Sequence, residues 1–460
     1  MAGTVLVTGA TGYIAGELIR QLLAKGWTVH GTVRNVVRSE AGLRARLGNP
    51  QAEQFKLFAA ELMSDAGWAE AVAGCTHVAH VASPIPAQAP RHEDDLIIPA
   101  REGTLRALRF AKAAGVTRFV QTSSTAAVIY GVDRGTYTFD ESRWTDINHP
   151  DAYPYVKSKT LAERAAREWM AAEGGAMEFL SVNPGMVLGP VDSGDFSASV
   201  ELVQQLLSGA MPLAPDLGFP IVDVRDIAAL HVLALETPGL ANERFLGAGQ
   251  FLTALEIAGI LRARLGPKAR KAPTRPMPDW VVNILALFNA EVRGIRTEIG
   301  KTRHVDASHA RERLGWTMRP VEDTIADCGN SLIEHGDDGS QLKIDLLSKI
   351  VKFVARFFAN IDNHIMEGTV PDSVPTFTPR DANPKLLAVV APVDDVITLK
   401  SKPEASPPGT PARERNGKKQ KVKPPAGAAD FTKAGLFRCK EGTPIAELFP
   451  NDLEKKLCSF

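Results

Sequence analysis

The stretch that most constrains this chain is residues 4–18, "TVLVTGATGYIAGEL". Apolar β-formers run straight into a glycine turn. Ile14, Leu18, Ile19, Leu22 and Leu23 then recur at helical spacing, closed by Gly26. Gly9 allows a sharp exit from the strand, and Gly12 removes a Cβ where backbone must approach a pyrophosphate. Ala15 is small enough for helix and strand to pack closely. The helix would then offer free N–H groups and the positive end of its dipole to phosphates. A strand, this turn and a helix in that order predict a dinucleotide-binding unit.

Strand-like segments follow at "TVHGTV" (28–33), "KLFAA" (56–60), "HVAHVA" (77–82), "RFVQTS" (118–123) and "EFLSV" (178–182), with helical patterns between most of them. Alternation of this kind predicts an α/β fold, a Rossmann doubly wound parallel sheet with right-handed crossovers. From about residue 183 the pattern loosens. Residues 222–236 read as a helix start, and 251–266 and 280–292 as helices, which suits a smaller C-terminal substrate lobe over the strand ends. The expected division is one domain over 1–335, with a cofactor part over about 1–182 and a substrate lobe interleaved from about 183.

Beyond that domain, an amphipathic helix is expected over 338–366. In it Leu347, Ile350, Val351, Val354, Phe357, Phe358, Ile361 and Ile365 form one apolar stripe. The stripe suits docking on this chain or self-association with a second copy through residues 342–365. Residues 367–430 are read as a disordered linker, since the Pro-, Gly-, Ser- and Lys-rich part offers little apolar surface to bury. Residues 431–460 form a short tail segment of unassigned role.

The whole chain of 460 residues has zero formal net charge, so nothing global points to nucleic acid. Cys75, Cys328, Cys439 and Cys458 are too scattered for a disulfide framework or a metal site, so a reducing, cytoplasmic setting and no metal are expected. The apolar start lacks the basic flank of a signal peptide, and no run is long enough to span a bilayer.

The end of the second strand bears on the choice of nicotinamide cofactor. An acidic residue there would bind the ribose 2′-hydroxyl and repel a 2′-phosphate. This chain has Arg34 instead, with Arg38 one turn on, and a guanidinium suits a phosphate; NADP(H) is therefore favoured over NAD(H).

"DAYPYVKSKTLAER" (151–164) contains two tyrosine–lysine pairs, each four residues apart. Pro154 separates them. A residue before proline is pushed out of the helical region, while proline itself suits the first helical turn. Tyr153 is therefore expected outside the helix and Tyr155 at its start. By helical phase Tyr155, Lys159, Ala162, Ala166 and Trp169 share a buried side; Lys157, Thr160, Arg164 and Glu168 fall on a solvated one. An ammonium beside a phenol lowers its pKa toward the working range. A hydroxyl from "QTSSTAAV" (121–128) could hold a substrate carbonyl beside it.

Together these residues resemble the extended short-chain dehydrogenase/reductase family (the NAD-dependent epimerase/dehydratase family), in its dihydroflavonol-reductase-like and aldehyde-reductase-like branch. The strings that carry the resemblance include "VTGATGYIAGELI", "HVASP", "TSSTAAV", "YVKSKTLAE", "NPGMVLGP" and "VDVRDIA", and they span residues 1 to about 335. The resemblance implies Ser124, Tyr155 and Lys159 as the catalytic trio. It implies a cofactor site lined by Gly9, Thr11, Gly12, Tyr13, Ile14, Arg34, Glu61, Leu62, Val81, Ala82, Ser83, Pro184 and Val187, with Tyr155 and Lys159 also touching the cofactor.

The expected activity is an NADP-dependent oxidoreductase of the class acting on CH–OH groups, run here as reduction of a small aldehyde or ketone. The partner is a small-molecule carbonyl substrate, with Tyr155 as proton donor. A sugar-nucleotide epimerase or dehydratase is the alternative, supported by "VIYG" (128–131) and weakened by the lack of an acidic pair beside the serine. A non-catalytic NADP-binding sensor is a third reading.

Overall fold

The computed structural model describes residues 3–84, 92–192, 198–279, 282 and 296–335. The chain divides into two units, Met1–Phe358 and Ala359–Phe460, and all described residues fall in the first. The helix expected over 338–366 and the tail over 367–460 lie outside the described residues, as does all of 280–292 except Val282.

In chain order the first strands are β1 (Thr4–Val7), β2 (Thr28–Val33), β3 (Phe55–Ala59), β4 (His77–His80), β5 (Arg118–Thr122) and β6 (Gly135–Phe139). The others are β7 (Glu178–Pro184), β8 (Met186–Leu188), β9 (Gly218–Asp223), β10 (Arg244–Gly247), β11 (Phe251–Thr253) and β12 (Lys301–Val305). The helices begin with α1 (Tyr13–Ala24), α2 (Val36–Arg46), α3 (Trp68–Val72), α4 (Asp94–Ala113) and α5 (Pro154–Glu173). They continue with α6 (Ala198–Ser208), α7 (Val224–Glu236), α8 (Ala254–Leu265), α9 (Ser308–Leu314) and α10 (Val321–Glu334).

Seven strands form one sheet in the order β10-β7-β5-β4-β1-β2-β3, and every neighbouring pair is parallel. The fold is the expected Rossmann architecture. Side chains alternate across the sheet. Val5 and Val7 join one core with Leu18, Ile19, Leu22, Ile227 and Leu230, so α1 and α7 cover that face. Leu6 points the other way and packs with Trp68, Leu108 and Ala166, so α3, α4 and α5 cover the second face. The chain order reverses between β1 and β4, which makes their C-terminal ends the switch point where a parallel sheet binds ligands.

The smaller lobe is built on a second sheet. β8 and β9 pair in parallel and β11 joins β9 antiparallel. A separate core of Val200, Val203, Leu206, Ile257, Leu261 and Ile325 holds α6, α8 and α10 on it. Residues 222–236, expected as one helix start, divide into the end of β9 and α7; residues 251–266 divide into β11 and α8. In each case a capping side chain marks the break: Asp223 accepts from the Arg225 N–H, and Thr253 forms a reciprocal capping box with Glu256. After the lobe's β8 and β9 the chain returns to the main sheet as β10.

Candidate active site

The glycine turn follows β1. Gly9 has φ +69°, a left-handed conformation natural to glycine. A Cβ there would lie 3.1 Å from the Ala82 Cβ, across the switch point. The turn is held by Gly9 N–H donating to Thr32 Oγ1 (3.0 Å) and Ala10 N–H donating to Thr32 O (2.9 Å). Gly12 occupies the N-cap of α1, with no side-chain cap and no acidic residue in the first turn. The first helical N–H groups are thus left for an anion, and the positive helix end is not neutralised. Behind the turn, Arg46 of α2 donates to Thr11 O (3.2 Å) and Ala10 O (3.3 Å), and lies over Gly16.

These features fit a dinucleotide. Arg34 follows β2 directly and is exposed; among the described residues its guanidinium has no hydrogen-bond or ion-pair partner. Asn35, next to it, caps α2 by accepting from the Arg38 N–H (3.0 Å), which accounts for a short polar residue at that position. Glu61 and Leu62 follow β3. The Glu61 carbonyl accepts from Trp68 Nε1 (2.9 Å), and Leu62 packs where Gly103 of α4 leaves room. Val81, Ala82 and Ser83 follow β4, with the Ala82 N–H donating to Thr8 Oγ1 (3.0 Å). Pro184 ends β7 and Val187 lies in β8. Ile14 packs partly buried against the sheet core. Tyr13 packs against both the sheet core and the lobe core, and its hydroxyl is buried without a partner. Burial, chiefly, pushes that phenol far up and keeps it protonated.

The strand ends also gather the expected trio. Ser124 lies just beyond β5 and caps a 3-10 turn, its Oγ accepting from the Ala126 N–H at 3.1 Å. Tyr153 is extended at the N-cap of α5 (φ −72°, ψ 168°) and Pro154 begins the helix, as the register argument required. Tyr155 is partly buried; Lys159 Nζ lies 5.9 Å from the centroid of the Tyr155 ring. Tyr153 stacks on Tyr155 at 6.2 Å, and Tyr130 meets Tyr153 edge-on at 5.6 Å.

The electrostatics differ from expectation. Burial pushes the Tyr155 phenol up, and the Ser124 side chain pulls only partly against it. Lys159, itself buried and held down at about 8 with the Glu163 carboxylate opposing that shift, does not overcome this burial. Tyr155 is therefore a neutral phenol at neutral pH.

The helical phase also needs correction. Thr160, expected on the solvated side, is fully buried and donates to Val156 O (2.8 Å). α4 packs against α5 and widens the covered arc. Residues that sequence reasoning missed lie beneath the trio. Glu163 is fully buried and accepts from Ser123 Oγ (2.6 Å), Asn183 Nδ2 (2.8 Å) and Ser181 Oγ (2.9 Å). Arg244 and Arg167 pair with it. The available signal was Glu163 four residues after Lys159, on the same side of the helix.

Among the described residues no helix is long and apolar enough to cross a membrane, and no group of three or more His, Cys, Asp or Glu converges as a metal site would need. A family model described as the NAD dependent epimerase/dehydratase family matches residues 5–246. The chain is 35% identical over 251 residues to cinnamoyl-CoA reductase CAD2 of Medicago truncatula, covering 54% of this chain and 76% of that protein. It is 32% identical over 272 residues to dihydroflavonol 4-reductase of Gerbera hybrida, covering 56% and 72%. Among solved structures, the yeast methylglyoxal/isovaleraldehyde reductase Gre2 complexed with NADPH superposes with a TM-score of 0.61 at 25% identity, covering 73% of this chain and 99% of Gre2. The matched span covers more than half of the chain and contains the glycine turn, Ser124, Tyr155 and Lys159: this chain belongs to the NAD-dependent epimerase/dehydratase family, the extended short-chain dehydrogenases/reductases.

Proposed function

We propose that this protein is an NADP-dependent reductase of a small aldehyde or ketone, with residues 1–335 as the catalytic unit. The observation that carries the reading is the neutral Tyr155 phenol on the first turn of α5, with Lys159 one turn on and 5.9 Å from its ring and Ser124 just beyond β5, at the C-terminal ends of a parallel sheet. The cofactor would be held by the first N–H groups of α1, by Arg34 on a 2′-phosphate, and by the backbone beyond β3 and β4. The NADPH in the Gre2 complex, and the reductases among the relatives, support that choice.

A reduced nicotinamide, when bound, supplies the hydride to the carbonyl carbon. This chain supplies the rest. Ser124 holds the carbonyl oxygen beside Tyr155, and Tyr155 donates its proton to that oxygen as negative charge develops there. A phenol kept protonated by burial is suited to this direction. The Lys159 ammonium, still charged at neutral pH, stabilises the phenolate left behind and would bind the ribose hydroxyls of the cofactor.

NADPH consumption against a panel of aldehydes and ketones, with nucleotide sugars in parallel, tests this. Oxidation of NADPH with a carbonyl is expected. Interconversion of a nucleotide sugar with no net use of cofactor would replace the reading with an epimerase.

A further inference from the structure

Glu163 has no part in the proton transfer, yet both of its carboxylate oxygens are hydrogen-bonded. It sits one turn beyond Lys159 on α5 and is 0% exposed. Oε2 accepts from Ser123 Oγ and Asn183 Nδ2, and Oε1 accepts from Ser181 Oγ. Arg244 approaches with Nε 2.8 Å from Oε1, and Arg167 with Nε 3.3 Å from the same oxygen.

If the only task were to join α5 to β5, β7 and β10, a well-packed apolar side chain would serve as well, since buried ion pairs seldom add stability. Two features point to the charge itself. Asn183 uses one amide nitrogen to bridge Glu163 Oε2 (2.8 Å) and the Ser124 carbonyl (3.0 Å), and Ser123 ties the neighbouring residue to the same carboxylate. Ser124 is thus braced from both sides by one anion. Second, Lys159 is 8% exposed, and among the described residues its ammonium has no hydrogen-bond or ion-pair partner. Its charged surroundings are few. Tyr155, Glu163 and Arg167 share its helix, His80 approaches from β4 and Arg244 from β10. Burial holds His80 down at about 3, so it is neutral at working pH. Glu163 is the anion in this set.

We propose that Glu163 is the positioning residue of this site, bracing Ser124 through Ser123 and Asn183 and supplying the counter-charge of the Lys159 ammonium. This rests on the reading of Ser124, Tyr155 and Lys159 as the reacting trio. The test is nevertheless separable from catalysis.

In protein labelled with ¹³C at lysine Cε, the Lys159 signal, assigned with Lys159→Arg, is followed against pH in cofactor-free wild type, Glu163→Gln and Glu163→Asp. The Lys159 midpoint is expected to fall by about one unit in the Gln variant and to stay near wild type in the Asp variant, which keeps the charge. With a carbonyl substrate, kcat is expected to drop about tenfold or more in both, since the shorter Asp withdraws from Ser123 and Asn183. An unchanged Lys159 midpoint in a folded Gln variant overturns the counter-charge. If the Gln variant does not fold, the Asp variant decides, and wild-type kcat there overturns the bracing of Ser124. Wild type inert toward every carbonyl would fail the reductase reading, while the Lys159 titration would still decide the role of Glu163.

Discussion

Asp151→Asn removes the centre of a buried charge cluster just ahead of the Tyr155 helix. Asp151 is 1% exposed. Its carboxylate accepts from the Gly131 N–H (2.9 Å), His149 Nδ1 (2.7 Å), Lys301 Nζ (2.8 Å) and Arg303 Nη2 (3.2 Å). Burial alone would raise its pKa. The bonds from Lys301, the Gly131 N–H and His149 more than offset this and take it from 3.8 to about 2. At about 1.4 kcal/mol per unit, that is about 2.5 kcal/mol of stability. A depressed folded pKa means the contribution is complete above the unfolded value and is lost as pH falls toward 2. About 1 kcal/mol of it is gone by pH 3. The Asn variant also leaves Lys301 and Arg303 buried beside a neutral amide, which puts the total cost at pH 7 at about 3 kcal/mol. Urea unfolding of both proteins between pH 7 and pH 3 measures this. The gap between them should narrow on acidification. A gap under about 1 kcal/mol at pH 7, or one that stays constant with pH, would refute the reasoning.

Arg34→Asp should weaken NADPH about tenfold to a hundredfold by calorimetric titration while leaving NADH within a few-fold, the loss expected for charge-assisted bonds to a phosphate; equal effects on both would remove the 2′-phosphate assignment. Gly9→Ala forces a left-handed φ of +69° on a residue with a Cβ facing Ala82 at 3.1 Å. It should lower the unfolding temperature and weaken NADPH, at a strain of about 1–2 kcal/mol; unaltered binding would show that the turn tolerates a side chain. Lys159, held down at about 8, carries its charge below that pH and loses it above. kcat/KM for reduction should therefore decline above about pH 8, and a flat profile up to pH 10 would exclude the role given to the ammonium.

The parallel sheet was legible because each of its first strands is a short apolar run flanked by helical spacing, and because β7 begins the same way. β10 was not. "RFLG" is four residues long, and it enters the sheet after the chain has built β8 and β9 elsewhere. β6 and β12 pair with each other across more than a hundred residues, a contact no local pattern encodes. The Tyr155 register was legible from Pro154, a local steric effect. The burial of Thr160 and Glu163 was not, because it comes from α4 on one side and from Arg244 on the other. The Tyr155 pKa was misjudged for a related reason. Sequence spacing brings a cation near the phenol, but only the folded chain shows that both groups are desolvated and that the cation is itself weakened.

The most direct measurement is the NADPH oxidation rate of wild type and Tyr155→Phe with one carbonyl substrate, alongside NADPH affinity for each. The account predicts turnover by wild type, a fall of about a hundredfold to ten-thousandfold in kcat for the Phe variant, and NADPH binding that changes little. Equal rates in the two proteins, or cofactor bound by both with neither consuming it, would contradict Tyr155 as the proton donor of a reductase.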